Sequence, residues 1–216
     1  MEECGLNVVA TVCDQGSANV AAIRSLLDDT TQSFVRKKEE NRHFGFLVNN
    51  KEIVPLLNLL KGIRNNMLTK DLHFTLNNIK RVAKWEHIEK LYIADRMAPF
   101  QMCPMLNDSH VIRGRLNKMK VKCCTQVFSK AVATAIVKGL TLGTLDKPLE
   151  PASVDTAILI FFLDDLFDNI NSSKQFSTPG KPLKSAVLST SGHTAFWEKA
   201  IRAVSTMKFR CPKMFG

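Results

Sequence analysis

Two groups of polar residues in this sequence have types and spacings that could do chemistry. Asp14 comes just after the β-branched run Val8–Val12. The carboxyl end of a strand is where open α/β sheets hold ligands, and a carboxylate there can bind a hard cation. Asp164, Asp168 and Asn171 are spaced four and three residues apart, so a helix presents them on one face. A carboxylate on that face offers two acceptors to parallel N–H donors such as those of guanine.

Each group also has a plainer structural alternative. Asp14 or Ser17 can cap the helix that follows, because Asp and Ser are common N-cap residues. Asp164 and Asp168 can form a solvated acidic face. Like charges at this spacing repel each other, so solvent, a neighbouring Lys or Arg, or a ligand must compensate them. Residue types and spacing alone leave these alternatives open.

The elements that must position these residues change in kind along the chain. Val8–Val12 predicts a strand buried on both faces, as in a parallel sheet, and residues 19–27 show the period of a helix. A second strand is predicted over 52–57 and a helix over 59–68. After this the strand signals fade, and helices are predicted over 84–95, 117–137, 153–171 and 194–207. The sequence thus predicts an α/β region over residues 1–68 and a mostly α-helical domain over 69–216.

The composition restricts the class of protein. The chain has 216 residues, 45% of them hydrophobic, which is enough for one or two domains with a real core. Lys and Arg outnumber Asp and Glu by 30 to 20. This excess favours nucleic acid as a partner, although a scattered excess is also typical of an ordinary solvated surface. The longest apolar run, Ala157–Leu163, is too short to span a membrane, and the start is acidic where a signal peptide would be basic.

The cysteines and the motifs that the sequence lacks restrict the class of protein further. Six cysteines are scattered without a CxxC pair: Cys4, Cys13, Cys103, Cys123, Cys124 and Cys211. They predict free thiols in a reducing compartment, nuclear or cytoplasmic, and no zinc site. The motifs GxxxxGK[ST], GxGxxG, HExxH and GxSxG are absent. Gly180-Lys181 lacks the upstream glycine of a phosphate-binding loop and is predicted to form a turn.

Five segments, in order, resemble the transposases of P-element type, including their THAP-domain relatives. They cover nearly the whole chain: CDQGSAN (13–19), LLKGIRNN (59–66), NKMKVKCCTQVFSKAVATAI (117–136), DDLFDNINS (164–172) and STSGHTAFWEKA (189–200). The resemblance implies an RNase H-like domain in which a triad of carboxylates holds divalent metal, here Mg²⁺, for DNA cleavage and strand transfer. It also implies a helical GTP-binding domain inserted late in that fold.

The same resemblance assigns roles to individual residues. It implies that Asp14 is the second acid of the triad, and therefore a catalytic and metal-binding residue. It implies that Lys120, Val121, Asp168 and Asn171 line the nucleotide. The partners implied are DNA and a guanine nucleotide, with self-association left open.

The sequence also departs from the family pattern. Family members typically read DPPHLLK where this sequence has LLNLLK (56–61), so the acid, the prolines and the histidine of that segment are missing. The sequence begins 13 residues before Asp14 and stops at Gly216, which leaves no room for the first and last acids of the triad. Two-metal chemistry needs several carboxylates. We therefore expect a truncated P-element-type transposase, derived from DNA transposition and integration with GTP as an assembly cofactor, that is catalytically inactive alone.

Two other functions stay open at this point. One is a basic helical module that binds nucleic acid or protein and has no nucleotide site. The other is an active nuclease whose missing acids come from another copy or another chain.

Overall fold

The computed structural model describes residues 10–13, 17–57, 59–118, 120–141, 149–171, 175–177 and 179–212. The chain divides into two compact units, residues 1–62 and residues 63–216. The first unit holds a small α/β sheet, and the second is mainly helical with a sheet of its own. This agrees with the predicted fold class, an α/β region followed by a mostly helical domain.

The first unit contains three strands and one long helix. Strand β1 (Ala10–Cys13) is followed by helix α1 (Ser17–Lys37), strand β2 (Phe46–Val48) and strand β3 (Lys51–Leu57). The sheet order is β1-β3-β2, with β1 parallel and β2 antiparallel to β3. The predicted strand near 52–57 and its parallel partner are therefore confirmed. Helix α2 (Leu59–Met67) follows.

The β2–β3 hairpin explains why particular residues stand at its turn and its open end. Asn49 and Asn50 both have positive φ, 50° and 60°, as a two-residue type I′ turn requires. At the open end, Glu52 accepts the backbone N–H groups of Phe44 and Gly45 at 2.7 and 2.8 Å. A Cβ on Gly45 would stand 2.2 Å from the carbonyl oxygen of Ile53, so only glycine fits there.

The second unit contains an antiparallel sheet that the sequence analysis missed. Its strands are β4 (Asp71–Leu76), β5 (Ile79–Ala83) and β6 (Lys208–Arg210), in the order β5-β4-β6. The expectation that strands end before this region is wrong. Side chains of β4 alternate between buried and half-buried positions, and Asn77-Asn78 forms a second turn with positive φ, 52° and 63°. Alternation and turn together stabilise a hairpin that helical periodicity does not predict.

Side chains from helix α7 (Ser153–Ile170) cover the outer edge of β5. The N–H of Val82 donates to Asp155 Oδ2 and the N–H of Lys84 donates to Thr156 Oγ1, both at 3.1 Å. Arg81 also pairs with Asp155 at 2.7 Å. Backbone groups that a neighbouring strand would bond are therefore satisfied by the first turn of a helix.

The other helices of this unit are α3 (Trp85–Met97), α4 (Asp108–Val111), α5 (Val121–Val127), α6 (Lys130–Thr141) and α8 (His193–Ser205). The single helix predicted over 117–137 is wrong, because Phe128 leaves helical geometry at φ −89° and ψ 53°. Ser129 stands just before α6, where serine is a favoured N-cap residue. The other predicted helices are present.

The core of the second unit lies around Trp85 and helix α7. The Trp85 side chain is 1% exposed, donates its indole N–H to Val111 O at 3.0 Å and meets Phe128 edge to face. Helix α7 packs on α6, α3 and β5. The side chains of Cys103, Cys123 and Cys124 are buried. No helix in the part of the chain that the structure describes is long and apolar enough to cross a membrane.

Candidate functional site

Two carboxylates on helix α7 lie one helical turn apart and are both buried. Asp164 is 8% exposed and Asp168 is 4% exposed. Asp164 faces the start of α6, where the backbone N–H of Lys130 bonds to its carboxylate. The alternative of a solvated acidic face is therefore wrong for these two residues. Their burial means that their charges must be compensated by protein groups or by a ligand.

A lysine pair compensates the two carboxylates. Lys181 Nζ lies 2.5 Å from Asp168 Oδ2 and 3.7 Å from Asp164 Oδ2, and Lys184 Nζ lies 3.5 Å from Asp168 Oδ1. These four residues are called the carboxylate–lysine cluster below. Compensation by a neighbouring lysine was one of the three options that the sequence left open.

The segment that carries these lysines is held on the helices. Lys130 Nζ donates to Gly180 O at 2.9 Å, and His193 Nε2 lies 3.2 Å from Leu183 O. Gly180 has φ +78°, which a glycine adopts without strain. The predicted turn at Gly180-Lys181 therefore places Lys181 at the carboxylates.

The two oxygens of Asp164 have different surroundings, and the residue is harder to ionise than usual. Burial raises the pKa of Asp164, Lys181 opposes the rise, and the charge of Asp168 adds to it. Asp164 Oδ2 is buried without a hydrogen-bond partner. Burial lowers the pKa of Lys181, but the hydrogen bond to Asp168 and the charge of Asp164 outweigh this, and the net pKa is raised. The cluster thus combines a firmly charged lysine with an acceptor oxygen that lies in an ion pair but accepts no hydrogen bond.

An asparagine that the sequence analysis did not single out lies beside the cluster. Asn169 is 8% exposed, accepts the indole N–H of Trp197 at 2.5 Å, and has a buried side-chain nitrogen without a hydrogen-bond partner. The predicted Asn171 is exposed and ends helix α7. The spacing from Asp168 favoured Asn171, whereas the signal for Asn169 is Trp197 on another helix, which local spacing does not reveal.

Lys120 and Val121 lie on a different element from Asp168. Lys120 is the exposed N-cap residue of α5, and Val121 is half-buried at its first position. The backbone N–H of Lys120 donates to Asn117 Oδ1 at 3.3 Å. Among the described residues, the ion pairs of Asp168 go to Lys181 and Lys184 rather than to Lys120.

The predicted metal ligand Asp14 lies outside the described residues. Within the residues that the structure does describe, no group of three His, Cys, Asp or Glu side chains could hold a metal ion.

A sequence model of one family matches the part of the chain that contains these residues. It is the TNP-like, GTP-binding insertion domain, and it matches residues 58–184, more than half of the chain. The chain belongs to this family. The match includes α2 to α7 and Lys181, and it ends at Lys184, so the whole carboxylate–lysine cluster lies within the insertion domain.

A solved structure shares the fold. The chain is similar to a chain of the Drosophila P element transposase strand transfer complex, with a TM-score of 0.54 and 22% identity. The similarity covers 82% of this chain and 37% of that chain, so this sequence spans well under half of the protein it matches. No curated protein gives a significant match. The insertion-domain family and the shared fold confirm the predicted resemblance to P-element-type transposases, and the chain is transposase-derived.

The cluster contains acceptors and cations of the kinds that bind a guanine nucleotide. The N1–H and 2-amino groups of guanine are donors that a carboxylate can accept in parallel, but Asp164 offers only Oδ2, because its carboxylate already accepts the N–H of Lys130. Lys181 and Lys184 are cations of the kind that phosphates attract. In contrast, both oxygens of Asp168 are already paired with lysine. The residue types suit a guanine nucleotide, but Asp168 must exchange its lysine partners before it can accept both donors of the base.

Proposed function

We propose that this chain is a transposase-derived module that binds guanine nucleotide at the carboxylate–lysine cluster and binds DNA through its positive charge. In this proposal, GTP acts in assembly rather than as a source of energy, and the chain does not cut DNA on its own.

The observation that carries the nucleotide site is the burial of two carboxylates one turn apart, one of which has an oxygen that accepts no hydrogen bond. Keeping Asp164 and Asp168 together inside the protein is unfavourable, because their charges repel and both lose hydration. Strongly perturbed, buried ionisable groups are concentrated at functional sites. The family of the insertion domain is itself described as GTP-binding. Burial, chemistry and family thus each support a nucleotide site.

The resemblance supplies the other proposed contacts. Lys120, Val121 and Asn171 are proposed to line the nucleotide together with Asp168. Lys120 and Asn171 are exposed, so both are open to a ligand. Lys181 and Lys184 place positive charge next to the carboxylates, where the phosphates of a nucleotide would also need it.

Calorimetry with GTP tests the nucleotide site. Titration of the full chain is expected to give heat of binding, and Asp168→Ala is expected to weaken the affinity. Because a hydrogen bond to a charged group contributes about 1.5–3 kcal/mol, the loss should be about ten- to a hundred-fold. Asp165→Asn is the matched control, since Asp165 lies on the same helix and pairs with Lys130 at 3.4 Å, outside the cluster. Circular dichroism confirms that each variant is folded.

Titration with ATP and the Asp165→Asn variant test whether any binding depends on the guanine base and on Asp168. ATP lacks the N1–H and 2-amino donors, so it should give little heat if a carboxylate recognises the base. Equal heats for GTP and ATP, or equal loss in Asp165→Asn and Asp168→Ala, would contradict guanine recognition by Asp168.

A second function is favoured by one specific observation. Both oxygens of Asp168 pair with lysines, which is also how a purely structural ion-pair network looks. The alternative is a basic helical module that binds nucleic acid or protein without a nucleotide. Absence of any heat with GTP, from a folded chain, supports this alternative over the first.

The absence of DNA cleavage is the part of the proposal that rests on Asp14. We propose that the first unit belongs to an RNase H-like domain of a DNA-integrating, THAP-type relative, and that Asp14 is a ligand for Mg²⁺. One carboxylate does not hold the two ions of a two-metal mechanism. A plasmid-nicking assay with Mg²⁺ is expected to show no cleavage. Nicking by the pure chain that is lost in Asp14→Asn would overturn this and support an active nuclease completed by another copy.

A further inference from the structure

The stretch that joins α4 to α5 concentrates positive charge. Residues Arg113–Lys122, called the basic segment below, read RGRLNKMKVK and contain five cationic residues and no acidic one. All five cationic side chains are exposed. No Asp or Glu occurs between Asp108 and Asp146 in the sequence, so the lysines of the segment have no acidic residue close to them along the chain.

The two arginines and the three lysines of the basic segment differ in their partners. Arg113 pairs with Glu89 at 3.5 Å, and Arg115 pairs with Asp108 at 2.5 Å. In the described part of the chain, Lys118, Lys120 and Lys122 make no ion pair with a carboxylate. Carboxylates outside the segment therefore pair with its two arginines, while its three lysines are available to an external anion.

Buried contacts hold the backbone of the segment in place. Arg64 on α2 is 0% exposed and donates from Nη2 to Lys118 O at 2.6 Å. The N–H of Asn117 donates to Ser109 O at 2.9 Å. A lysine row on a fixed backbone loses less conformational freedom on binding than one on a mobile loop. The guanidinium of Arg64 also adds a buried positive charge beneath the segment.

We infer that Lys118 and Lys122, the lysine row on either side of the proposed nucleotide contact Lys120, bind the phosphodiester backbone of nucleic acid without reading its sequence. The inference deepens the DNA-binding part of the proposed function and rests on it. Four residue steps reach at most about 14 Å, and phosphates recur every ~3.4 Å of axis along one strand, so the row can meet several phosphates at once. Lysine is a compact positive charge that binds phosphates, and contacts to phosphates carry no sequence information.

Salt-dependent binding of a short labelled DNA duplex tests the inference. The variant is Lys118→Gln with Lys122→Gln, which leaves Lys120, a proposed nucleotide contact, in place. The control is Lys80→Gln with Lys208→Gln, two exposed lysines on β5 and β6. Both variants lose the same charge. Each lysine–phosphate contact adds about 0.9 to the slope of log K against log salt, so the test variant should lose about 2 in slope and the control much less.

The outcomes separate this inference from the proposed function. Binding by the native chain with a selective loss of slope in Lys118→Gln/Lys122→Gln supports the inference. Equal losses in both variants overturn the inference and leave DNA binding intact. No binding by the native chain overturns both. If Lys118→Gln/Lys122→Gln weakens GTP binding and leaves DNA binding unchanged, the lysine row binds a triphosphate and the inference is overturned. If the native chain binds an acidic peptide tightly but not DNA, the lysine row belongs to a protein interface, and the inference is again overturned.

Discussion

Helices α1 and α7 are both long, 21 and 18 residues, but they are stabilised differently. Ten side chains of α7 are buried, among them Leu159, Ile160 and Leu163, whereas the described side chains of α1 include only two buried ones, Ile23 and Thr30. Most helix stability in proteins comes from packing of an apolar face rather than from intrinsic propensity. The comparison shows why charged residues can be held with fixed geometry on α7: the helix beneath them is locked by its neighbours on several sides.

Amide hydrogen exchange should show the largest difference between the two helices. Local opening free energies range from near zero to the free energy of global unfolding, and they follow packing. We expect the amides of α1 to exchange much faster than those of α7, and more generally residues before Leu68 to exchange faster than residues 117–171. Mass spectrometry or NMR on the native chain measures this. Equal protection in α1 and α7 would break the comparison.

A Leu→Ala substitution in each helix measures the difference in packing between α1 and α7. Leu163→Ala in α7 removes a side chain that is 0% exposed, and should lower the free energy of unfolding by about 2–5 kcal/mol. Leu26→Ala in α1 truncates a side chain that is 39% exposed, and should cost about 1 kcal/mol or less. Urea unfolding followed by circular dichroism gives both values. A Leu26 effect as large as that of Leu163 would show that α1 is packed far more tightly than its exposure indicates.

The few contacts of α1 should be individually important. Thr30 Oγ1 accepts the N–H of Leu47 at 3.0 Å, which joins α1 to strand β2. Thr30→Val leaves that N–H without its acceptor and should cost about 1–3 kcal/mol. Thr31→Val is the control, because Thr31 makes the same bond to the carbonyl oxygen four residues earlier, and the hydrogen bond that it accepts from Asn41 at 3.3 Å is exposed to solvent. Equal unfolding midpoints for the two variants would mean that the α1–β2 hydrogen bond contributes nothing.

The smallest expected effect concerns pH and the buried carboxylate of α7. Because burial raises the pKa of Asp164 above the usual value for aspartate, the folded protein binds more protons than the unfolded chain at pH values between the two. Stability contributed by Asp164 is therefore lost as pH rises through that window. Asp164→Asn removes this loss, so the variant should gain stability relative to the native chain between pH 3.5 and pH 7, by less than the Thr30 effect.

Denaturation curves at several pH values, with Asp165→Asn as the control for a change of charge, test this prediction. A stability difference between the native chain and Asp164→Asn that stays constant across the whole range would contradict it.

The helices of this chain follow from local sequence, while the second sheet and the cluster depend on partners far along the chain. The stripe of Leu159, Phe162 and Leu163 is enough to predict α7. The missed sheet had a local signal, since both hairpins read apolar–Asn–Asn, at Val48–Asn50 and at Leu76–Asn78. Its third strand, β6, pairs with β4 across more than a hundred residues, and no local pattern reveals such a pairing.

The candidate site also has one part that local sequence predicts and one part that depends on distant residues. The spacing of Asp164 and Asp168 predicts a shared face, and that face is observed. Its burial could not be predicted, because Lys181 reaches it from the segment after α7 and Lys130 from the helix before it. Asn169 was missed because its partner, Trp197, lies on α8. Local spacing defines which residues of one helix lie together, and only the tertiary fold defines what lies opposite them.

The first turn of α7 has a consequence for solubility. Asp155 and Thr156 occupy the N–H groups along the outer border of β5 that an intruding strand would need. A strand of a second molecule therefore cannot bond to these N–H groups. Natural proteins commonly cover edge strands in this way and so avoid edge-to-edge aggregation. The helix that carries the carboxylates of the carboxylate–lysine cluster thereby also opposes the addition of strands from other molecules to this sheet.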